Sequence, residues 1–272
     1  MKKVGLLFGS FDPIHNGHLQ LAQTAKKEIQ LDEVWFVVTA SHPVKARDSD
    51  DEFRITLPIH RINMVALALG FTFPKNTVPT TTHFDFGEFS SLKNKEKLNF
   101  SKPAPPQPFI MAPDSDHFNS PPELLPMNIE FHLQKPNYTH QTLKELIRLF
   151  KNVDFFPILG LDTYISLSIG DWQESKFILN NFKILIYQRD SGGNSQIKRC
   201  QKNGGLKLEI RPQNNLSLQT PPHHQLLTGP LLSHSSTEVR KLLSDSDSST
   251  FGDYLCVNVL KYIRKNKLYT PQ

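Results

Sequence analysis

One ten-residue string, GSFDPIHNGH at residues 9–18, restricts the fold of this chain more than any other feature. It follows the apolar run KVGLLF at residues 3–8, which is typical of a buried strand. It precedes a set of apolar residues at helical spacing, namely Leu19, Leu21, Ala22, Ala25 and Ile29. A strand that leads through a glycine-containing loop into a helix indicates an α/β sheet that binds a ligand at the carboxyl end of the strand.

The alternation of strands and helices continues along most of the chain. Residues 33–40 predict a second strand, and residues 53–70 predict a helix that is interrupted at Pro58. The further predicted elements are strands at 127–133, 153–160, 182–188 and 206–210, and helices at 138–150, near 172–180, at 235–243 and at 253–269. Within 153–160, Pro157 is unfavourable for a strand. The pattern predicts an α/β fold with a doubly wound parallel sheet and a small helical C-terminal part, residues 235–272.

Residues 71–126 interrupt this alternation. They contain ten of the 20 prolines and show no sustained periodicity, which is typical of irregular structure. We interpret them as an insertion in a loop of a single domain that spans residues 1–272. Because the cost of closing a loop grows slowly with its length, we expect the insertion to be dispensable for the chemistry of the protein.

Composition argues against several classes of protein. The only two cysteines, Cys200 and Cys256, have no metal-like spacing, so we expect neither a disulfide framework nor a cysteine-ligated metal. The apolar run at the start is too short for a signal peptide, and none approaches the ~20 residues of a membrane span. We therefore expect a cytoplasmic protein without a membrane partner. The net charge of +5 fits a phosphate-handling enzyme and a weak nucleic-acid binder equally well.

The string at residues 9–18 suits the binding of a phosphate. Gly9 allows the backbone to turn close to a ligand, and Gly17 keeps the first helical turn bare. His15 and His18, three residues apart, lie on one face of that turn, where the helix N-terminus attracts negative charge. Three other interpretations weigh less for the whole string: helix-capping histidines, a metal site without a third ligand, and glycines that only mark a turn.

A second candidate phosphate site lies near the C-terminus. Ser235 and Ser236 precede EVRKLL and have the signature of a helix N-cap, with Glu238 in the first turn. Arg240 lies one turn into this helix, where its guanidinium can bind two phosphate oxygens. Seen alone, the segment is also compatible with a capped surface helix. Its combination with residues 9–18 favours phosphate binding.

These segments resemble a known family. The residues HNGH (15–18) form the HxGH motif of the nucleotidyltransferase superfamily, whose fold is Rossmann-like, and the whole string resembles bacterial nicotinate mononucleotide adenylyltransferases. Further segments are similar to the same family: SHPVKAR (41–47), KPNYTHQTL (135–143), LGLDTYISLSIGDW (159–172), HSSTEVR (234–240) and VLKYIRKNKLY (259–269). The resemblance covers residues 1–70 and 127–269 and leaves out the insertion.

The resemblance implies an activity in NAD biosynthesis, with ATP and nicotinate mononucleotide as the binding partners and deamido-NAD and pyrophosphate as products. It implies that His15 and His18 contact the α-phosphate of ATP, and that Lys45 and Arg240 contact the leaving pyrophosphate. Mg²⁺ would arrive with ATP, without a metal site of the protein's own. The residues implied in ATP and phosphate binding are Gly9, Ser10, Phe11, Gly17, Ser235, Ser236 and Thr237.

The resemblance also implies how the mononucleotide is bound. The backbone N–H groups of Tyr138 and Thr139 would hold the nicotinate carboxylate, and Asp162 would bind a ribose hydroxyl. Trp172 would stack on the pyridine ring, unless it is a core aromatic that anchors its own helix. We expect no nucleic-acid partner, and the sequence leaves association with further copies of the chain open.

Two alternatives belong to different classes of function. One is the same chemistry with another acceptor, nicotinamide mononucleotide or phosphopantetheine. The other is a non-catalytic nucleotide-binding regulatory protein, with the insertion as its interaction arm. His15, His18, Lys45 and Arg240 disfavour this second alternative, because a binding module does not need groups that neutralise pyrophosphate.

Overall fold

The computed structural model of the chain describes residues 1–40, 55–71, 123–188, 196–202, 205–211, 216–219, 223–229, 234–244 and 251–269. The strands are β1 (Lys2–Gly9), β2 (Glu33–Val38), β3 (Leu124–Met127), β4 (Val153–Gly160), β5 (Leu185–Tyr187), β6 (Gln196–Lys202), β7 (Gly205–Arg211), β8 (Leu216–Gln219) and β9 (Gln225–Leu226). The α-helices are α1 (Asn16–Ile29), α2 (Pro58–Ala68), α3 (Thr139–Leu149), α4 (Leu161–Ser168), α5 (Ser175–Asn181), α6 (Ser236–Ser244), α7 (Phe251–Tyr254) and α8 (Val257–Lys265). A 3-10 helix spans Ile129–His132.

A six-stranded parallel sheet forms the centre of the fold, in the order β3-β2-β1-β4-β5-β9. Strand β1 pairs with β2 on one side and with β4 on the other. The chain therefore builds outward from β1 through β2 to β3, returns through α3, and builds outward again from β4. The direction of winding reverses between β1 and β4, where α/β sheets of this kind bind ligands at the carboxyl ends of the strands. The predicted doubly wound sheet is confirmed.

Helices cover both faces of this sheet because its strands alternate apolar side chains between the two faces. In β2, Trp35 and Val37 belong to one buried cluster, which is completed by α3, α4 and α5. Phe36 and Val38 belong to the opposite cluster, which is completed by α1, α2 and α8. Two buried faces explain why the strands read as continuous apolar runs. Within the described ranges, no helix is both long and apolar enough to cross a membrane.

The region around the predicted insertion differs from the sequence prediction. The strand predicted at 127–133 is wrong: β3 lies at Leu124–Met127, and a 3-10 helix follows it. Phe71 is buried in the core and residues 124–126 belong to β3, so the predicted bounds 71–126 are too wide. Residues 72–122 lie outside the described part of the chain. Pro58 begins α2 and does not interrupt a helix, since the first helical turn needs no N–H from that position.

One further prediction is corrected, and two predicted strands are confirmed with added detail. The closing helix predicted at 253–269 is two helices, α7 and α8. Besides the predicted strand at 206–210, which is β7, residues 196–219 contain β6 and β8, and the three form an antiparallel sheet. Pro157 is accommodated in β4 because the pairing of β4 with β5 begins only at Ile158, so a paired neighbour is present on one side only.

A buried histidine fastens the last parallel strand to the helices beside it. His224 directly precedes β9, and its Nε2 lies 3.1 Å from the carbonyl oxygen of Leu179 at the end of α5. Its Nδ1 lies 2.7 Å from the hydroxyl of Tyr164 in α4. An N–H donated to Leu179 and an O–H accepted from Tyr164 satisfy both ring nitrogens of a neutral imidazole. Burial lowers the pKa of His224 to about 4.

We predict that His224 makes the fold sensitive to acid. Below its ordinary pKa of 6.5, the unfolded chain takes up a proton that the folded chain refuses until about pH 4. The contribution of His224 to stability is therefore present above pH 6.5 and is lost as the pH falls through this window. In urea unfolding at a series of pH values, His224→Gln should be less stable than the wild type at pH 7.5, and this difference should shrink towards pH 4.5.

The matched control is His223→Gln, because His223 also contacts the carbonyl oxygen of Leu179, at 3.1 Å, but is only partly buried. It should keep most of the pH dependence of the wild type, because burial is the largest cause of the lowered pKa of His224 and the charge of His223 is a smaller one. An unchanged difference between His224→Gln and the wild type across the pH series would contradict the prediction.

Candidate functional site

The loop after β1 turns sharply, and the buried ring of its own Phe11 anchors it to the core. Phe11 has a φ of 48°, in the left-handed region, although it is not glycine. Its ring is buried and packs against the rings of Phe36 and His18, with centroid distances of 5.6 and 5.0 Å. A Cβ at Gly9 would lie 3.0 Å from the Phe11 ring, so glycine is needed for this packing. Phe11 can therefore offer a ligand its backbone but not its ring.

The two motif histidines stack over the N-terminus of α1. His15 is the N-cap residue, and the centroids of the His15 and His18 rings are 3.8 Å apart. The backbone N–H of His15 donates to Nδ1 of His18, with 3.2 Å between the two nitrogens. Because Nδ1 accepts this hydrogen bond, the proton of a neutral His18 is on Nε2. His18 is thus set to donate from Nε2 to an anion at the helix N-terminus.

Gly17 makes room for the stacked rings. A Cβ at this position would lie 3.0 Å from Nδ1 and 3.1 Å from Cε1 of the His15 ring. It would also lie 3.6 Å from Cβ of His234, the residue that precedes the second candidate phosphate segment. Gly17 therefore allows the His15 ring to lie close to the start of α1. It also allows the segment that begins at His234 to lie close to the same helical turn.

Helix α6 is capped as the sequence predicts, and it reaches the loop. The hydroxyl of Ser235 accepts a hydrogen bond from the backbone N–H of Glu238, with a distance of 3.1 Å. The hydroxyl of Ser236 donates to the carbonyl oxygen of Pro13, at 3.0 Å. Two helix N-termini, those of α1 and α6, are thus brought together at the carboxyl end of β1. Both present N–H groups and the positive ends of helix dipoles.

Arg240 joins the same two segments. Its Nη1 donates to the carbonyl oxygen of Asp12 at 2.6 Å, and its Nη2 donates to the Thr237 hydroxyl at 3.3 Å. Its Nε is buried and makes no hydrogen bond within the residues that the structure describes. Nη1 and Nη2 each carry a second N–H, so the guanidinium is positioned by the loop and still has donor capacity for a phosphate.

A buried cation and a buried carboxylate, which the sequence analysis gave no role, hold the loop from the other side. Arg61 in α2 donates from Nη1 to the carbonyl oxygen of Ser10 at 2.7 Å and from Nε to that of Thr56 at 2.9 Å. Oδ2 of Asp12 accepts a hydrogen bond from the backbone N–H of Thr56 at 3.1 Å. Burial lowers the pKa of Arg61, and Asp12 opposes this shift. A charged residue inside the apolar pattern of α2 was the available signal.

Glu130 is a second buried acid that sequence reasoning missed. Its Oε2 accepts a hydrogen bond from the N–H of Ala40 at 3.3 Å, and its Oε1 accepts one from the hydroxyl of Thr142 at 3.1 Å. It connects the end of β2 to helix α3. Burial raises the pKa of Glu130 to about 7, although the hydrogen bonds from Thr142 and Ala40 and the charge of Arg61 oppose this shift.

Three of the predicted mononucleotide residues lie at the starts of α3 and α4, and the fourth, Trp172, lies between α4 and α5. Tyr138 caps α3, and its N–H donates to Oε1 of Gln141 over a long distance of 3.3 Å, which a bound carboxylate would have to displace. Thr139 is the first residue of the helix. Asp162 is exposed in the first turn of α4, directly after β4. Trp172 is partly buried against the core cluster. Lys45 lies outside the described residues.

Comparisons with known proteins agree with these features. A family model described as cytidylyltransferase-like matches residues 6–82. The chain is 30% identical to a probable nicotinate-nucleotide adenylyltransferase of Desulfotalea psychrophila, over 99% of this chain and 100% of that protein. It is 27% identical to a protein of the same name from Christiangramia forsetii, over 98% of both chains.

A solved structure shares the fold. It is the nicotinic acid mononucleotide adenylyltransferase of Plasmodium falciparum complexed with NaAD, which superposes with a TM-score of 0.58. The alignment covers 99% of this chain and 98% of the other, with 19% sequence identity. At this identity the similarity supports the fold of the sheet and its flanking helices.

We predict that adding one methyl group at Gly17 separates activity from stability. Gly17→Ala should displace the His15 ring and lower ATP-dependent pyrophosphate release roughly 10- to 100-fold, because small misplacements are costly in positioned chemistry. Stability should be retained or should rise, since alanine favours a helix by about 1 kcal/mol over glycine. Thermal unfolding and pyrophosphate release measure the two effects.

Gly252→Ala in α7 is the matched control, because nothing lies within 4 Å of the added Cβ. It should show the same propensity effect with unchanged activity. Equal activity of the two variants would contradict the role given to Gly17.

Proposed function

This chain belongs to the nicotinate-nucleotide adenylyltransferase family, and we propose that it transfers AMP from ATP to nicotinate mononucleotide, giving deamido-NAD and pyrophosphate. The observation that carries this proposal is the convergence of two helix N-termini at the carboxyl end of β1. Ser236 and Arg240 connect α6 to the loop that bears His15 and His18. Such a site suits a reaction in which charge moves between phosphoryl oxygens.

The proposed reaction is a direct displacement at the α-phosphorus of ATP. A phosphate oxygen of the mononucleotide forms the new bond to this phosphorus, and the bond to the β-phosphate bridging oxygen breaks, releasing pyrophosphate. No covalent bond to the protein is required, so the protein positions the reactants and neutralises charge. Magnesium would arrive with ATP, because it prefers phosphate and water oxygens.

Each side chain of the site has a proposed task. His18 would donate from Nε2 to an α-phosphate oxygen, with His15 stacked beside it. Arg240 would neutralise the departing pyrophosphate, together with Lys45. The backbone of Gly9, Ser10 and Phe11, the cap residue Ser235, and Thr237 in the first turn of α6 would line the nucleotide. This proposal rests on the hydrogen bond that orients the His18 ring and on the second N–H groups of Nη1 and Nη2 of Arg240.

The acceptor is proposed from the start of α3. A helix N-terminus favours a carboxylate over an amide, because its free N–H groups and dipole attract negative charge. We assign the nicotinate carboxylate to the N–H groups of Tyr138 and Thr139. Asp162, exposed after β4, would bind a ribose hydroxyl, and Trp172 would stack on the pyridine ring.

We predict that His18→Ala lowers kcat several hundredfold. The loss corresponds to about 2.7–4 kcal/mol, the effect of removing one donor from a site that stabilises developing charge. The measurement is pyrophosphate release at saturating substrates. His223→Ala is the control, because this histidine precedes β9 and lies in none of the segments that form the site. Near-normal turnover of a folded His18→Ala protein would remove His18 from the mechanism.

We predict a higher kcat/KM for nicotinate mononucleotide than for nicotinamide mononucleotide. Purified protein and ATP are assayed against both, and against phosphopantetheine, by pyrophosphate release. Equal values, or preference for the amide or for phosphopantetheine, would overturn the acceptor and leave nucleotidyl transfer standing. Nucleotide binding without turnover of any acceptor would instead favour a regulatory protein.

A further inference from the structure

The end of the chain returns to the loop after β1. Tyr269 lies beyond α8, and its hydroxyl donates a hydrogen bond to Oδ1 of Asp12, in the middle of the loop. Asp12 is buried, with an exposed fraction of 3%. Its two carboxylate oxygens are thus engaged by separate segments, Oδ1 by Tyr269 and Oδ2 by the N–H of Thr56.

The surroundings keep the tyrosine in its donor form. Burial and the charge of Asp12 raise the pKa of Tyr269, and a hydrogen bond from Thr56 and the charge of Arg240 oppose this shift only partly. The hydroxyl therefore stays protonated at any working pH and donates to the carboxylate. Tyr269 has a φ of 62°, a left-handed conformation that is unfavourable for tyrosine. This left-handed turn of the backbone occurs at the residue whose side chain contacts Asp12 in the loop after β1.

The loop needs this support because it contains its own strained residue. A left-handed conformation at a non-glycine residue such as Phe11 costs on the order of 1–3 kcal/mol and persists only where surrounding contacts impose it. The backbone before Phe11 is held by Arg61 at the Ser10 carbonyl, and the backbone after it by Arg240 at the Asp12 carbonyl. The Asp12 side chain is the third point of attachment, and Tyr269 holds it.

We infer that Tyr269 is a positioning residue for nucleotidyl transfer, which acts through the Asp12 carboxylate to hold the loop that carries His15 and His18. The inference rests on the proposed function for its kinetic part. Tyr269 touches no reacting atom in this arrangement. It sets the direction in which the loop enters α1, and hence where the two imidazoles stand relative to the α-phosphate.

The test compares Tyr269→Phe with a matched variant, Tyr262→Phe. Tyr262 in α8 also has a partly buried hydroxyl with two partners, Nδ1 of His60 at 2.8 Å and the amide of Asn63 at 2.9 Å, both in α2. Both substitutions remove one hydroxyl from one ring near the C-terminus. Both should lower the unfolding temperature, whereas only Tyr269→Phe releases the loop.

The first readout is kinetic. Tyr269→Phe should lower kcat roughly tenfold, because small displacements of positioned groups are costly, while KM for ATP and for the mononucleotide stays within about threefold. Tyr262→Phe should keep the kcat of the wild type. Equal kcat values for the two variants, or a rise in KM at unchanged kcat, would overturn the inference and leave Tyr269 a structural residue.

The second readout does not depend on activity. Amide hydrogen exchange should increase at residues 10–18 in Tyr269→Phe and stay unchanged there in Tyr262→Phe. If the wild type does not turn over nicotinate mononucleotide, the proposed function fails, and the exchange comparison still decides whether Tyr269 holds the loop. Exchange at residues 10–18 that is the same in all three proteins would overturn the inference on its own.

Discussion

The backbone turn at residues 10–13 is bent into a conformation that its own residues do not favour, and the rest of the site depends on the polar groups that keep it there. Arg61 and Arg240 bind the carbonyl oxygens on either side of Phe11. Asp12 extends this arrangement to Thr56 and Tyr269. These donors come from α2 and the residues before it, from α6 and from the end of the chain, so the loop is assembled only when the whole domain is folded. Burial makes each contact valuable, because a buried charge or carbonyl without its partner would cost several times what a surface hydrogen bond contributes.

The position of this turn determines where the candidate catalytic groups of α1 lie. The turn sets the entry into α1, and the N–H of His15 then orients His18 through Nδ1. Gly17 gives the His15 ring its place above the helix, and the same bare backbone allows the segment before α6 to approach. The imidazoles are therefore positioned mainly by the backbone. This explains how a string with two glycines and a proline can hold two imidazoles in a defined position.

The sequence predicted the parts of the structure that local patterns encode. The apolar run of β1, the loop between β1 and α1 and the cap of α6 are all predicted from neighbouring residues, and each was confirmed, although α1 already begins at Asn16 within the string 9–18. The errors concern segments whose structure is determined by contacts with residues that are far away in the sequence. LLPM became strand β3 because it pairs with β2, while the residues after it turned inward so that Glu130 could reach Ala40 and Thr142. The role of Tyr269 was invisible for the same reason, since its partner Asp12 lies 257 residues away in the chain.

The two halves of the site are built differently, and Glu130 lies where they meet. The half around α1 and α6 is held by charged groups and backbone carbonyls, whereas the start of α3 offers mainly backbone N–H groups and a long hydrogen bond to Gln141. Glu130 ties this second half to the end of β2, directly before the segment that contains Lys45.

The pKa of Glu130 is raised from 4.5 to about 7, so the folded chain keeps a proton there that the unfolded chain releases. Stability due to Glu130 is therefore lost as the pH rises through this window, which opposes the effect of His224 below pH 6.5. The two groups therefore act in opposite directions on stability between about pH 4.5 and 6.5. Glu130 thus gives helix α3 a connection to the end of β2 whose charge changes near neutral pH.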